Sequence, residues 1–589
     1  MVLLTPRASK QLATLLFVSS VLGCTALIAQ YSGGALGYEA SLLAVVFPWV
    51  PLILTGSFIA VCAWAVLAAT YRHTSSVPFL AGTLSLTAIY YVILALPGIR
   101  YGAPYDRWDV WFYLGFGTDT QTTGHVNFLA DFYPGLQTLT VGLYNIAAVP
   151  QEVTIAFLFP LIAALRIPVL ALAGRRLLGN SGGLLTACVA SITGFSTTGL
   201  YGSPWGFSLL LLDFFVLAGV VTAGSRRREV RALLLLIGVA VVLSHILTAF
   251  AILLAAMLAW LWALWSRRGD RTLWLGRSSL PIIASFGVIT LGYLFLVTNV
   301  YRVPIQVVLS NLGRSNPILF EAASSKNFGL AAIFQVLFPE VATASFALVG
   351  LLFLLRSKNR LFEGLLVPFL FLSGIVLFVL EETTVRRSLF GPNRPLSILA
   401  QATPLLGGAM FSRLLACRRQ DISVQSRWVN WFNGLRRPFT VAFGALMILA
   451  FAYGTLTVYP SPAIFNINPQ FTACEKTAVI WLGTSNPGLS VRTDESLSRS
   501  SFYFSRTVKG WVSGYWGYDN SLPAHLNVSD FTEPTVALIS DHVLAKGFSG
   551  LVPNWTISQG DWASFSSSPN VSMIYDCGDA HVFLLRPPT

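Results

Sequence analysis

Between Pro97 and Val149 the chain gathers Asp106, Asp109, Asp119, His125 and Asp131 beside tyrosines and tryptophans, in a sequence otherwise made of long apolar runs. A carboxylate beside hydrocarbon costs solvation free energy unless water, a partner or a substrate offsets it, so acids collected at a membrane mouth point to chemistry. The step a positioned aspartate performs unaided is removal of a proton from an acceptor nucleophile. Asp109, in D-V-W-F-Y-L-G, is the first candidate for that base. Asp106 stands three residues earlier and shares a face with it if the segment is helical; two carboxylates so close either raise the pKa of one or hold a divalent cation, Mg or Mn, between them. Solvated loop acids are the plain alternative, and the preferred reading for Asp119, His125 and Asp131.

Fixed positive charge stands elsewhere. Arg386, Arg387 and Arg394 lie in EETTVRRSLFGPNRPL, between two apolar runs on a side where basic residues are disfavoured. Three guanidinium groups there suit a lipid phosphate. Anchoring to phospholipid headgroups, or pairing with Glu381 and Glu382, would use them equally well. His245 with Thr248 in SHILT, and Glu321 in NPILFEAASS, are further candidates for substrate contact, while Arg166, Asp213 and Glu340 fall inside apolar runs and should face the protein interior.

The elements that must position these residues are membrane spans. With 589 residues, 54% hydrophobic and 11% charged, at a mean hydropathy of +0.67, the chain carries more apolar surface than one soluble core can hide. It reads as a polytopic α-helical membrane protein. The net charge of +13 is not a nucleic-acid footprint, because the stretch from Tyr459 onward holds 7 basic and 10 acidic residues and the excess lies wholly in the membrane part.

Apolar runs fall at 12–30, 42–70, 78–97, 153–173, 181–199, 207–224, 280–300, 330–355, 362–380, 395–415 and 438–458. The run 232–265 is too long for one crossing, at roughly 50 Å of helix, and has arginine clusters at both ends, so it should be a hairpin with its apex at Ser244–Thr248. Residues 133–149 pose the opposite problem: as a span they would invert every later basic cluster. They are therefore expected as an interfacial helix. About thirteen crossings result, with the amino terminus cytoplasmic.

After Tyr459 the apolar runs shorten and Gly, Pro, Ser and Asn rise, as in an extracytoplasmic α+β or β-rich domain over 459–589 following a membrane domain over 1–458. The acceptor sequences for N-glycosylation, at Asn527, Asn554 and Asn570, all lie in that tail. Cys474 and Cys577 stand near its two ends and could close it as a disulfide outside the cytosol. Cys24, Cys62, Cys188 and Cys417 read as small packing residues.

The outer loop DRWDVWFYLG, followed by G-x-x-x-N-F-x-x-x-x-YPGLQ and a descending span ending in GRRLLG, resembles glycosyltransferases of the GT-C superfamily; the tail segment AVIWLGTSNPG after the last span resembles them as well. The resemblance covers most of the chain in layout and is distantly similar to the oligosaccharyltransferase and protein mannosyltransferase families. It implies an inverting enzyme that transfers a sugar from a polyprenyl-phosphate-linked donor to a glycan, lipid or protein acceptor at the outer membrane face, with the catalytic loop and interfacial helix over 98–152. It also implies substrate contacts from His245, in its H-x-x-T setting, and from Glu321. The WWDYG motif of oligosaccharyltransferases is absent, with VRTDESLS in its place, which disfavours transfer of whole oligosaccharides to asparagine. A lipid-linked glycan transporter or flippase, or a non-catalytic membrane scaffold, is the alternative; no internal repeat favours the former.

Overall fold

The computed structural model describes residues 6–31, 34–39, 49–70, 76–102, 104, 109–127, 133–193, 204–222, 228–265, 280–298, 330–356, 366–384, 393–416, 427–458, 470–485, 488–512, 516, 522, 526–544 and 557–586. Asp106, Asp131, Glu321, Arg386, Arg387, Cys417 and Asn554 lie outside them, as do the side chains of Asp109, Glu381 and Glu382.

The membrane part is a helical bundle: α1 (Pro6–Tyr31), α2 (Trp49–Thr70), α3 (Ser76–Tyr101), α4 (Asp109–Thr123), α5 (Pro134–Ala147), α6 (Gln151–Ala190), α7 (Pro204–Thr222), α8 (Arg228–Ser244), α9 (Ile246–Trp265), α10 (Leu280–Gly292, continued by a π-helical turn), α11 (Leu330–Arg356), α12 (Leu366–Thr384), α13 (Asn393–Ala416) and α14 (Arg427–Val458). Among the described residues five helices are long and apolar enough to cross a membrane, within α3, α6, α7, α13 and α14, and shorter apolar helices accompany them. The chain is a multi-pass membrane protein.

Two reversals follow from local chemistry. Within α6 the backbone breaks at Gly179, whose φ of 78° is open to glycine at no steric cost, and the two arms lie against each other. A Cβ on Gly183 would sit 2.7 Å from Ala171 O, so the contact is backbone to backbone. The second reversal is at His245. Gly238 meets the Phe286 ring and Leu253 meets Gly287, although a straight helix would separate residues 238 and 253 by about 22 Å. The chain therefore bends sharply between α8 and α9, as the basic clusters at both ends of 232–265 require.

Inside the bundle Phe58 stacks on Phe451 at 3.9 Å, and Phe346 meets Phe411 and Phe443 edge-on. Arg166 Nε donates to Asp213 Oδ2 at 2.9 Å, both side chains being buried, and Tyr90 within electrostatic reach of that pair and of Glu340 donates to Thr193 O. The three ionisable residues in apolar runs thus face the interior together, as expected.

The carboxy-terminal domain is α+β. Helix α15 (Ala473–Ser485), β1 (Ser490–Thr493), α16 (Glu495–Thr507), β2 (Thr535–Ser540), the short α17 (Asp541–Leu544), α18 (Gln559–Ser566), β3 (Val571–Asp576) and β4 (Ala580–Leu585) build a four-stranded sheet in the order β1-β2-β4-β3. Strands β1 and β2 run parallel, and β2–β4 and β4–β3 antiparallel. Val536, Leu538 and Val582 face Val479 and Leu482, while Ala537, Ile539 and Phe583 face Phe565, so helices cover both sides of the sheet. Cys474 and Cys577 form a disulfide that ties the start of α15 to the β3–β4 turn.

This domain is not a tethered appendage. Val110, Trp111, Leu114, Leu136, Ile155 and Phe159 from α4–α6 share one buried cluster with Phe471, Val479, Tyr503 and Phe504. The segment 34–39 adds a strap: Glu39 N donates to Gln470 Oε1 at 2.7 Å, Gln470 Nε2 donates to Gly37 O at 2.9 Å, and Arg100 Nε donates to Glu39 Oε1 at 3.1 Å. Burial raises the Asp579 carboxyl above its ordinary range where that strap meets the domain, and it raises the Tyr503 phenol, hydrogen-bonded to Glu152.

Candidate active site

At the end of the bundle capped by this domain, four helices begin within reach of one another. Tyr133 precedes α5, Trp205 is in the first turn of α7, His245 precedes α9 and Arg394 is in the first turn of α13. The Tyr133 and His245 rings stack at 4.5 Å and 17°, and Trp205 meets His245 edge-on at 4.6 Å. Ser208 and Thr248 share a buried hydrogen bond of 2.8 Å, and a Cβ on Gly135 would lie 2.6 Å from Ser244 Oγ, so these helix ends are in close contact. The Arg394 charge reaches both Tyr133 and His245. Burial raises the Tyr133 phenol, and Arg394 pulls it back.

The sequence builds these ends in a simple way. Pro134, Pro204 and Pro395 occupy first turns, where a missing N–H costs nothing and the fixed φ suits a helix. Ahead of α9 the His245 ring does the capping: Leu247 N donates to its Nδ1 at 3.3 Å. A backbone N–H can only donate, so Nδ1 is the acceptor and, in the neutral ring, Nε2 carries the proton. Each helix start exposes unsatisfied N–H groups and about half a positive charge. At His245 the C-terminal end of α8 offsets the start of α9, so it is the starts of α5, α7 and α13, with the Arg394 guanidinium, that can attract an anion.

Of the sequence candidates, His245 lies within electrostatic range of Arg394. The structure puts Asp109 at the first residue of α4, and Val110, Trp111 and Leu114 turn into the core shared with the carboxy-terminal domain. Asp119 accepts from Arg506 Nε at 2.6 Å, and His125 is exposed and hydrogen-bonded to Thr123. Asn527 is exposed, its side chain accepting from Ser529 N; Asn570 is half-buried beside β3. Sequence reasoning missed Tyr133, Trp205 and the helix ends, although Pro in the first turns of α5, α7 and α13 was a readable sign. Among the described residues the one group of metal-ligand spacing is Cys474, Cys577 and Asp579, and its sulfurs are bonded to each other.

Neither a protein-family profile nor a curated protein sequence matches the chain. Among solved structures it is similar to ArnT from Cupriavidus metallidurans bound to undecaprenyl phosphate, with 14% identity and a TM-score of 0.46 over 86% of this chain and 97% of that one. It is also similar to the oligosaccharyltransferase AglB from Archaeoglobus fulgidus in complex with an inhibitory peptide and a dolichol-phosphate, with 13% identity and a TM-score of 0.43 over 72% of this chain. The chain spans 59% of the length of that AglB chain. Likenesses this remote carry no functional weight, which rests on the residues of the site.

Proposed function

We propose that this chain is a GT-C-type glycosyltransferase that moves a sugar from a polyprenyl-phosphate donor to a glycan, lipid or protein acceptor at the extracytoplasmic face. The observation that carries the reading is the convergence of the Tyr133, Trp205 and His245 rings at the starts of three helices, within electrostatic range of Arg394 at the start of a fourth. The acceptor oxygen attacks the anomeric carbon, the bond from that carbon to the phosphate oxygen breaks, and the configuration inverts. Asp109 takes the acceptor proton, with Glu321 as a second acidic contributor. Arg394, joined by Arg386 and Arg387, holds the phosphate as it gains charge, and the His245 Nε2–H donates to it. A divalent cation held by Asp106 and Asp109 would add to that charge stabilisation. Mn2+ binding followed by electron paramagnetic resonance, abolished in the Asp106→Asn, Asp109→Asn protein, is its separate check.

The bundle has about thirteen crossings in this reading, with its capped end outside and Asn527, Asn554 and Asn570 open to glycosylation. The test is release of polyprenyl phosphate from undecaprenyl- and dolichyl-phosphate-linked glucose and mannose by the purified chain. Asp109→Asn should lose on the order of 10²–10⁴ in rate with donor affinity kept. Arg394→Ala should weaken binding of undecaprenyl phosphate itself. Near-normal turnover by a well-folded Asp109→Asn protein would remove that residue from the reaction.

A further inference from the structure

The base and the anion site proposed above stand on different parts of the molecule. His245 and Arg394 belong to the bundle, whereas α4, which begins at residue 109, is fastened along its length to the carboxy-terminal domain. Trp111 packs on Phe471 at 4.6 Å, on Phe504 at 5.5 Å and on Tyr503 at 5.7 Å. Beside it, Phe112 and Phe116, about one turn apart, close on Phe502 at 4.6 and 5.2 Å, and a Cβ on Gly115 would overlap that ring. One further turn on, Arg506 lies over Phe502 at 3.5 Å and donates to Asp119. Helix α16 therefore fixes both the height and the rotation of α4. Against the bundle α4 shares the apolar cluster of Leu136, Ile155 and Phe159, and Gln151 Nε2 donates to Gln121 Oε1 at 3.0 Å with Gln151 seated against Gly117.

We propose that the carboxy-terminal domain is the positioning device for the α4 carboxylate: Phe502, seated on Gly115, and Arg506, paired with Asp119, set where residue 109 stands relative to the anion site. This rests on the functional reading above for its catalytic consequence, but not for its geometry. A displacement of about 1 Å at a reacting group costs as much as 10²-fold in rate, so turnover should follow this contact while donor binding, made by the bundle, does not.

The experiment is a double-mutant cycle in the purified full chain. Gly115→Ala should lower kcat about 10- to 100-fold with KM for the donor within about twofold, and adding Phe502→Ala, which vacates the ring's place, should restore most of it. The exposed pair gives an arm that folds regardless: Arg506→Gln should lower kcat at constant KM, and Asp119→Asn on top of it should add nothing. In parallel, electron resonance distances between spin labels at positions 109 and 394 should shift in Gly115→Ala and return with Phe502→Ala. Unchanged distances in Gly115→Ala and Arg506→Gln proteins overturn the proposal whatever the catalytic result. Shifted distances in a protein that is inactive in its parent form as well would uphold the positioning and sink the transferase reading instead.

Discussion

His245 serves two structures at once, and its two nitrogens separate them. Nδ1 accepts from Leu247 N and so begins α9, while Nε2, which carries the proton in the neutral ring, is the donor that the proposed function gives to the phosphate. Asparagine can supply the first service through its side-chain oxygen but is too short for the second. The His245→Asn protein should therefore melt within a few degrees of the parent, whereas His245→Ala should lose about 1 kcal/mol for the missing cap. Both should bind undecaprenyl phosphate more weakly, by a factor of roughly ten for one hydrogen bond to a charged oxygen. Calorimetry and lipid titration on the same two proteins check it, and equal binding by His245→Asn would confine the residue to capping. Arg394 and His245 stood out in the sequence because charge is conspicuous among apolar residues. Tyr133 and Trp205 did not, since an aromatic residue near a membrane surface has many uses and only the fold selects one.

Helix boundaries were legible for a different reason: a bilayer imposes its length on apolar runs. Arg175 and Arg176, in the GRRLLG that ends a descending span, marked one reversal, and the arginines flanking 232–265 marked the other, so the bends in α6 and at His245 stand where charge and length demanded them. Pairing between helices was hidden, because it depends on where two backbones approach. Helices α11 and α13 meet at Gly350, where a Cβ would overlap Leu406 O, a backbone atom with no freedom to move aside. Gly350→Ala should therefore push the pair apart and cost about 1–3 kcal/mol, read as a lower melting temperature of the detergent-solubilised protein. Gly444, with nothing within 4 Å of its missing Cβ, is the control on α14, and Gly444→Ala should leave the melting temperature unchanged or raise it. The place of α4 was equally hidden. Its sequence DVWFYLGFGTDTQTT offers aromatic residues that a membrane interface would also accept, and only its partners Phe471, Phe502 and Phe504, distant in sequence, assign it to the carboxy-terminal domain.

For the whole molecule the remaining question is which end of the bundle faces outward, and the fold makes the test sharper than the sequence could. The basic clusters and the carboxy-terminal domain lie at opposite ends if α6 is followed from Glu152, paired with Lys476 of that domain, to Arg175 and Arg176 just before the Gly179 reversal. From Glu152 to Arg176 is about 36 Å of helix, enough to carry the chain across roughly 30 Å of hydrocarbon. The two ends must then be on opposite sides, and the function proposed above has the reversal inside, where arginine is favoured. Arg176 and Ser572 are exposed, the latter on the edge strand β3, so a cysteine at either would be open to reagent on its own side. In intact cells a membrane-impermeant maleimide should label Ser572→Cys and spare Arg176→Cys until the membrane is permeabilised. Labelling of Arg176→Cys in intact cells, with Ser572→Cys protected, would invert the molecule and move its anion site to the cytoplasmic face, where no extracytoplasmic acceptor could reach it.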